Sequence, residues 1–235
     1  MIALVDERIS TASLSSLESE GFLCISMPPA DHLGKAVASH VDMLAFIGFG
    51  RLFCHKRYYE SHEELICLIC QKSGLTAVIS DEPTGDKYPS DVLFNACLVG
   101  NNLICNEKTV SRLILDAARE NGCNVIHVPQ GYTKCSVCVV SDNALVTSDT
   151  AIAKICTDHG IDTLLISEGQ ISLPPYSFGF IGGASGLCND TLYFAGSLES
   201  HSDSDKIKEF CKRHGVNTVS LTDDRLFDVG TVFFL

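Results

Sequence analysis

Residues Asp91–Val128 read DVLFNACLVGNNLICNEKTVSRLILDAARENGCNVIHV. Two apolar runs flank the turn Gly100-Asn101-Asn102, whose residue types tolerate φ > 0, so the pair predicts a β-hairpin. The next stretch sets Leu113, Ile114, Ala117 and Ala118 on one face at helical spacing. Gly122 then ends the helix, because glycine takes φ > 0 without a Cβ penalty, and CNVIHV turns directly into a strand. The unit is strand, strand, helix, strand.

The helix-to-strand joint recurs along the chain. EGFLCISM holds Gly21, SGLTAVIS holds Gly74, NGCNVIHV holds Gly122, HGIDTLLI holds Gly160 and HGVNTVSL holds Gly215. Successive joint glycines lie 53, 48, 38 and 55 residues apart, and five units of about 47 residues use all 235 positions. Paired apolar runs recur with them, in VDMLAFIGFGRLFCH from Val41, KCSVCVVSDNALVTSD from Lys134 and GFIGGASGLCNDTLYFAG from Gly179. The helix SDKIKEFCKRHG of the last full unit turns Ile207, Phe210 and Cys211 inward. The remaining unit is split, with DVGTVFFL from Asp228 at the C-terminus and MIALVDE, a helix and FLCISM at the N-terminus. First and last segments should therefore pair, closing a ring that leaves no open sheet edge.

With 46% hydrophobic residues and no Pro/Ser-rich linker, residues 1–235 read as one α/β domain. A formal net charge of −12 without a basic stretch argues against nucleic acid and favours a small cationic partner. MIALVDERIS carries acidic residues early and has no long apolar core, and no run reaches 18 apolar residues, so the expectation is a cytoplasmic protein without a membrane partner. A homodimer is left open. The 12 cysteines read as reduced packing residues, with Cys24, Cys67, Cys70, Cys97, Cys105, Cys138 and Cys156 inside apolar patterns. Cys67 and Cys70 form the only CxxC and lack a second pair at zinc spacing, so neither a metal nor a cofactor is expected.

Chemistry belongs where the units converge, at the starts of their first strands. Superposing the hairpins by their turns brings together His40 and Asp42, Ser90 and Asp91, Lys134 and Cys135, Gly182 and Gly183, and Asp228 and Gly230. A thiol, an imidazole and three carboxylates thus come from segments far apart in sequence, with glycines where backbone must approach closely. Tyr132 and Tyr176, on the loops leading into two of the units, could line such a pocket. His201 and Asp203 precede an apolar-periodic run and read as helix-capping residues.

These features resemble the pentein superfamily, the five-bladed α/β propellers of amidinotransferases, arginine deiminases and dimethylarginine dimethylaminohydrolases. The likeness rests on the closed five-unit repeat, on His40-Val41-Asp42 as a His-x-Asp motif and on the glycine-rich GFIGGASG. GYTKCS, GFIGGASG and LFDVGT are also similar to an uncharacterised bacterial group of penteins. The resemblance implies a cysteine that attacks a guanidinium carbon, a His-x-Asp histidine that moves protons, and acidic side chains that hold the guanidinium. In the characterised enzymes the nucleophile lies in the final repeat, whereas LFDVGTVFFL has no Cys, so Cys135 is the axial thiol here. The implied roles are Cys135 as nucleophile, His40 with Asp42 for proton transfer, and Asp91, Asp228, Lys134, Tyr132, Gly182 and Gly183 around a guanidino or amidino substrate. Two other classes stay open: a non-catalytic binding protein, as in the pentein that binds the large ribosomal subunit, and a metal-dependent hydrolase using His40, Asp42 and Asp228.

Overall fold

All five joint glycines occupy the left-handed region, with φ of +89° at Gly21, +74° at Gly74, +64° at Gly122, +81° at Gly160 and +73° at Gly215. A Cβ added at any of the five would meet nothing within 4 Å, so the backbone angle alone demands glycine. The computed structural model describes residues 1–235. The chain opens with β1 (Ile2–Asp6), α1 (Thr11–Ser19) and β2 (Leu23–Met27). The first full unit holds α2 (Val41–Leu44), β3 (Ala45–Gly48), β4 (Arg51–His55), α3 (Lys56–Ser61), α4 (Glu63–Ser73) and β5 (Thr76–Ser80). The second holds β6 (Cys97–Val99), β7 (Asn102–Cys105), α5 (Arg112–Glu120) and β8 (Asn124–His127). The third holds α6 (Thr133–Ser136), β9 (Cys138–Ser141), β10 (Ala144–Thr147), α7 (Thr150–Asp158) and β11 (Asp162–Leu165). The fourth holds β12 (Ser185–Cys188), β13 (Thr191–Phe194), α8 (Ser204–Arg213) and β14 (Asn217–Ser220), and β15 (Phe233–Phe234) ends the chain.

These strands make five separate three-stranded sheets. In each, the middle strand pairs antiparallel with an inner strand and parallel with an outer one. The split unit closes as expected, with Ala3 opposite Phe234 and Leu4 opposite Phe233. One expectation is corrected. The ring of units closes but no sheet does, so β2, β5, β8, β11 and β14 all remain edge strands.

The central residues of the middle strands are apolar because both faces of those strands are buried, and Arg51, Asn102, Thr191, Asp6, His55 and Thr147 fall only at strand ends. Alternate residues of β1 feed two different clusters, Ile2 and Leu4 one, Ala3 and Val5 the other. Leu52 and Cys54 part from Phe53 in the same way, and Leu192 and Phe194 from Tyr193. Five such clusters fill the five seams between neighbouring sheets. Cys97, Cys105, Cys138 and Cys156 pack in the seams, but Cys67 is exposed, contrary to its apolar context. On α5 the buried set is Ile114, Leu115, Ala117 and Ala118, while Leu113 is 36% exposed, so the helix sits turned from the expected face. No helix is long and apolar enough to cross a membrane.

Because β15 is only two residues long yet completes the split sheet, deleting Val232–Leu235 should abolish soluble folded protein. Size-exclusion chromatography and far-UV circular dichroism would check this, and a soluble monomer with the full-length spectrum would contradict it.

Candidate active site

The residues expected at strand starts lie just before the strands, in five lead-in segments. His40 precedes α2, which holds Asp42; Lys134 and Cys135 sit in α6; Asp91 and Asn95 belong to the irregular segment before β6; Gly182 and Gly183 precede β12; and Asp228 to Thr231 precede β15. Turning the chain out of the strand lets backbone groups point across the axis. Asp42 N donates to Gly230 O at 3.1 Å, Thr231 N to Gly183 O at 2.9 Å and Gly183 N to Cys135 O at 2.9 Å. Lys134 N then donates to Asn95 Oδ1 at 2.7 Å, and Asn95 Nδ2 donates to Asp42 O at 3.1 Å. Each segment donates to the next, and the five bonds form a closed belt. A Cβ on Gly182 would strike the carbonyls of Lys134, Cys135 and Val137, and one on Gly183 would strike the Asp228 carboxylate. The two glycines therefore admit neighbouring backbone and carboxylate.

Asn95 is the member that sequence reasoning missed. It is 1% exposed inside an otherwise apolar run, and that polar interruption is the signal. Besides closing the belt, its Nδ2 lies 3.1 Å from Cys135 Sγ and donates to it. Asp6, at the end of β1, was missed as well, since nothing in MIALVDE separates it from a surface strand end. It is 1% exposed, bonded to Arg8 and to Ser39 Oγ at 2.6 Å, and 3.6 Å from His40 Nε2.

On the inner side of the belt, one donor atom each of His40, Asp42 and Cys135 lie within 4.8 Å of one another, all buried. His40 Nδ1 is 3.8 Å from Asp228 Oδ1, too far for a hydrogen bond, and neither ring nitrogen has a partner. Asp228 accepts from Phe180 N at 2.8 Å and from Gly230 N at 3.0 Å. Asp42 Oδ2 accepts from Thr231 Oγ1 at 2.9 Å while Oδ1 has no partner. Lys134 Nζ turns away, donating to Thr231 Oγ1 at 3.2 Å, and lines a separate depression with Ser185 and Phe233. Asp91 stands behind Tyr132, whose hydroxyl donates to it at 2.7 Å.

A cavity of about 310 Å³ opens over this cluster. His40, Cys135 and Asp228 form its buried floor, and Tyr132, Phe178, Phe180 and the 54% exposed Tyr176 rise towards solvent. Asp42, Asp91, Lys134, Gly182 and Gly183 do not line it. His40, Asp42 and Cys135 are also the His, Cys and acidic groups whose donor atoms converge tightly enough to hold a metal ion, with Cys135 rather than Asp228 as third donor.

Burial governs the titration of this floor. It pushes the Cys135 thiol well up, and the Asp42 and Asp228 carboxylates push it further. It raises the carboxyls of Asp42 and Asp228 and lowers His40, whose drop Asp228 and Asp6 oppose. At neutral pH these directions favour a protonated thiol and a neutral imidazole. A cation arriving on the floor would satisfy the carboxylates and stabilise the thiolate.

The chain's residues 4–233 match the model of a family of unknown function (DUF6873). The chain belongs to that family. No curated protein matches the sequence. Among solved structures, dimethylarginine dimethylaminohydrolase from Pseudomonas aeruginosa complexed with citrulline superposes with a TM-score of 0.60 at 12% identity, over 94% of this chain and 91% of the other. Agmatine deiminase from C. jejuni gives 0.53 at 8% identity over 94% and 76%. An amidinotransferase of the saxitoxin pathway from Microseira wollei gives 0.54 at 9% identity over 92% and 77%. The fold is the pentein five-bladed propeller, as the resemblance implied.

Two outcomes follow from this geometry. Asn95→Leu keeps the volume but leaves Lys134 N and Asp42 O unpaired, and should cost about 1–3 kcal/mol in chemical denaturation. Because its pKa is raised, Cys135 stays protonated at neutral pH, so iodoacetamide should modify exposed Cys67 first and reach Cys135 faster only as pH rises above the ordinary thiol range. Peptide mapping across a pH series would read this directly.

Proposed function

We propose that this protein is a cysteine-dependent enzyme acting on a guanidine, amidine or related cationic carbon–nitrogen compound. The observation that carries the reading is the approach of the Cys135 thiol, the His40 imidazole and the Asp42 carboxyl to within 4.8 Å beside a ligand-sized cavity. The fold shared with enzymes described as a deiminase, a dimethylaminohydrolase and an amidinotransferase supports it.

In this mechanism the amidinium sits over Asp228, which it pairs, with the Asp42 carboxyl behind that contact adding to the attraction. Cys135 passes its proton to His40, which is neutral and has both ring nitrogens free. The thiolate attacks the amidinium carbon, forming a C–S bond. The C–N bond then breaks, and the leaving amine takes the proton held by His40. A water next gives its proton to His40 as its oxygen bonds to the same carbon. The C–S bond breaks, and the His40 proton restores the thiol. The net change is hydrolysis of one C–N bond; an incoming amine in place of water would make the reaction an amidino transfer.

Treatment with 2-chloroacetamidine followed by peptide mapping tests the reading, because that reagent couples a cationic amidine to thiol alkylation. Cys135 should carry the label ahead of exposed Cys67, although iodoacetamide reverses that order. Labelling of Cys67 alone would move the reading to a non-catalytic binding protein. Cys135→Ala should abolish turnover, and His40→Gln should leave ligand binding intact while slowing the chemical step by about 10²- to 10⁴-fold.

A further inference from the structure

Resting on the proposed function, we infer that the substrate is an amidine or guanidine whose remaining part is an apolar alkyl or aryl arm, carrying no carboxylate. Above the buried floor the cavity walls are Val37, Leu173, Tyr132, Tyr176, Phe178 and Phe180, interrupted by the exposed Ser177 at the mouth. Neither Arg nor Lys lines it. Lys134 and Arg8 are engaged elsewhere. Lys134 Nζ points to Val137 O at 3.4 Å and to Thr231, and Arg8 donates to both Asp6 oxygens, to Ser39 Oγ and to Lys35 O.

The charges of the floor are acidic, from Asp228 and, behind it, Asp42, with Asp6 beyond His40. A substrate carboxylate held within about one Debye length of these groups is repelled and finds no counter-ion. An alkyl or aryl arm instead removes apolar wall from water. Tyr132 and Phe180 stack at an interplanar angle of 25° with centroids 6.3 Å apart, which gives a flat aromatic wall for such an arm. A cavity of about 310 Å³ accommodates an amidinium head with a short chain or single ring. Because the Tyr132 hydroxyl is spent on Asp91, that residue offers the arm its ring.

The test compares affinities in the Cys135→Ala protein, by calorimetry, for four probes: benzamidine, butylguanidine, agmatine and arginine. If that variant does not fold, protection of wild-type Cys135 from 2-chloroacetamidine ranks the same probes. Benzamidine and butylguanidine should bind at least tenfold more tightly than arginine, and agmatine, whose second charge meets the apolar wall, should fall below butylguanidine. Equal or tighter binding of arginine, tenfold preference for agmatine over butylguanidine, or no binding by any probe would each overturn the inference. Tyr176→Arg, a change at the exposed mouth, should raise arginine affinity about tenfold by supplying the missing counter-charge; no gain would equally count against it. Labelling of Cys135 with an inverted probe ranking would sink only the substrate assignment, whereas apolar amidine binding without labelling would sink only the catalytic reading.

Discussion

The belt of five hydrogen bonds around the axis is the constraint on which the site depends. The five units differ in helix length, loop length and sequence, yet each lead-in segment must arrive where its donor meets the acceptor of the next. That requirement is local, because each bond fixes one neighbour, and global, because the fifth returns to Asp42. It explains why a side chain can replace backbone at one place. The segment before β6 does not bring its own carbonyl and amide to the axis, and Asn95, with an acceptor and a donor on one amide group, supplies both. It also explains the glycine pair, since Gly183 both donates to Cys135 O and accepts from Thr231 N while lying against the Asp228 carboxylate.

A belt of this kind leaves little room for water, and the acidic groups it encloses are consequently hard to ionise. Burial raises Asp42 and Asp228 and raises Cys135, because it opposes the charged form of each. The protein holds these groups in place through Phe180 N, Gly230 N and the Thr231 hydroxyl, each a donor directed at a carboxylate. Such preorganisation is costly in the free protein and favourable once a cation arrives, because the same low polarity that penalises an unpaired carboxylate strengthens its pairing. In the proposed reaction, recognition of positive charge and activation of the thiol would thus have one physical origin.

Much of the architecture was legible in sequence because it is repeated and local. A glycine that must adopt positive φ, a turn that tolerates it and a middle strand buried on both faces each leave a compositional mark within a few residues, and Gly21, Gly100 and the run Leu192–Phe194 show the three kinds of consequence in turn. Superposing the repeats also placed His40, Asp42, Cys135 and Asp228 in a common region. What could not be read was direction. Lys134 and Cys135 are adjacent, and one turn of helix sends the ammonium to one side of the belt and the thiol to the other. Asp6 and Asn95 depend on contacts between units, and the edge strands on which layer of the ring a strand occupies, neither of which has a short-range signature.

The same symmetry bears on where a nucleophile can sit. In the enzymes this sequence resembles, the thiol belongs to the final repeat, where this chain has Thr231 at φ +68°, a left-handed conformation that a β-branched residue adopts only at a cost. The surroundings hold it there: Thr231 N donates to Gly183 O, and its hydroxyl receives Lys134 Nζ and reaches Asp42. The final repeat therefore spends its axial side chain on securing the carboxylate and tying the belt to Lys134. Cys135, two units earlier, presents its sulfur beside that same carboxylate and the His40 imidazole. Side chains from two different units thus reach the same carboxylate, Thr231 Oγ1 at 2.9 Å from Asp42 Oδ2 and Cys135 Sγ within 4.8 Å of Asp42, because both lead-in segments turn inward.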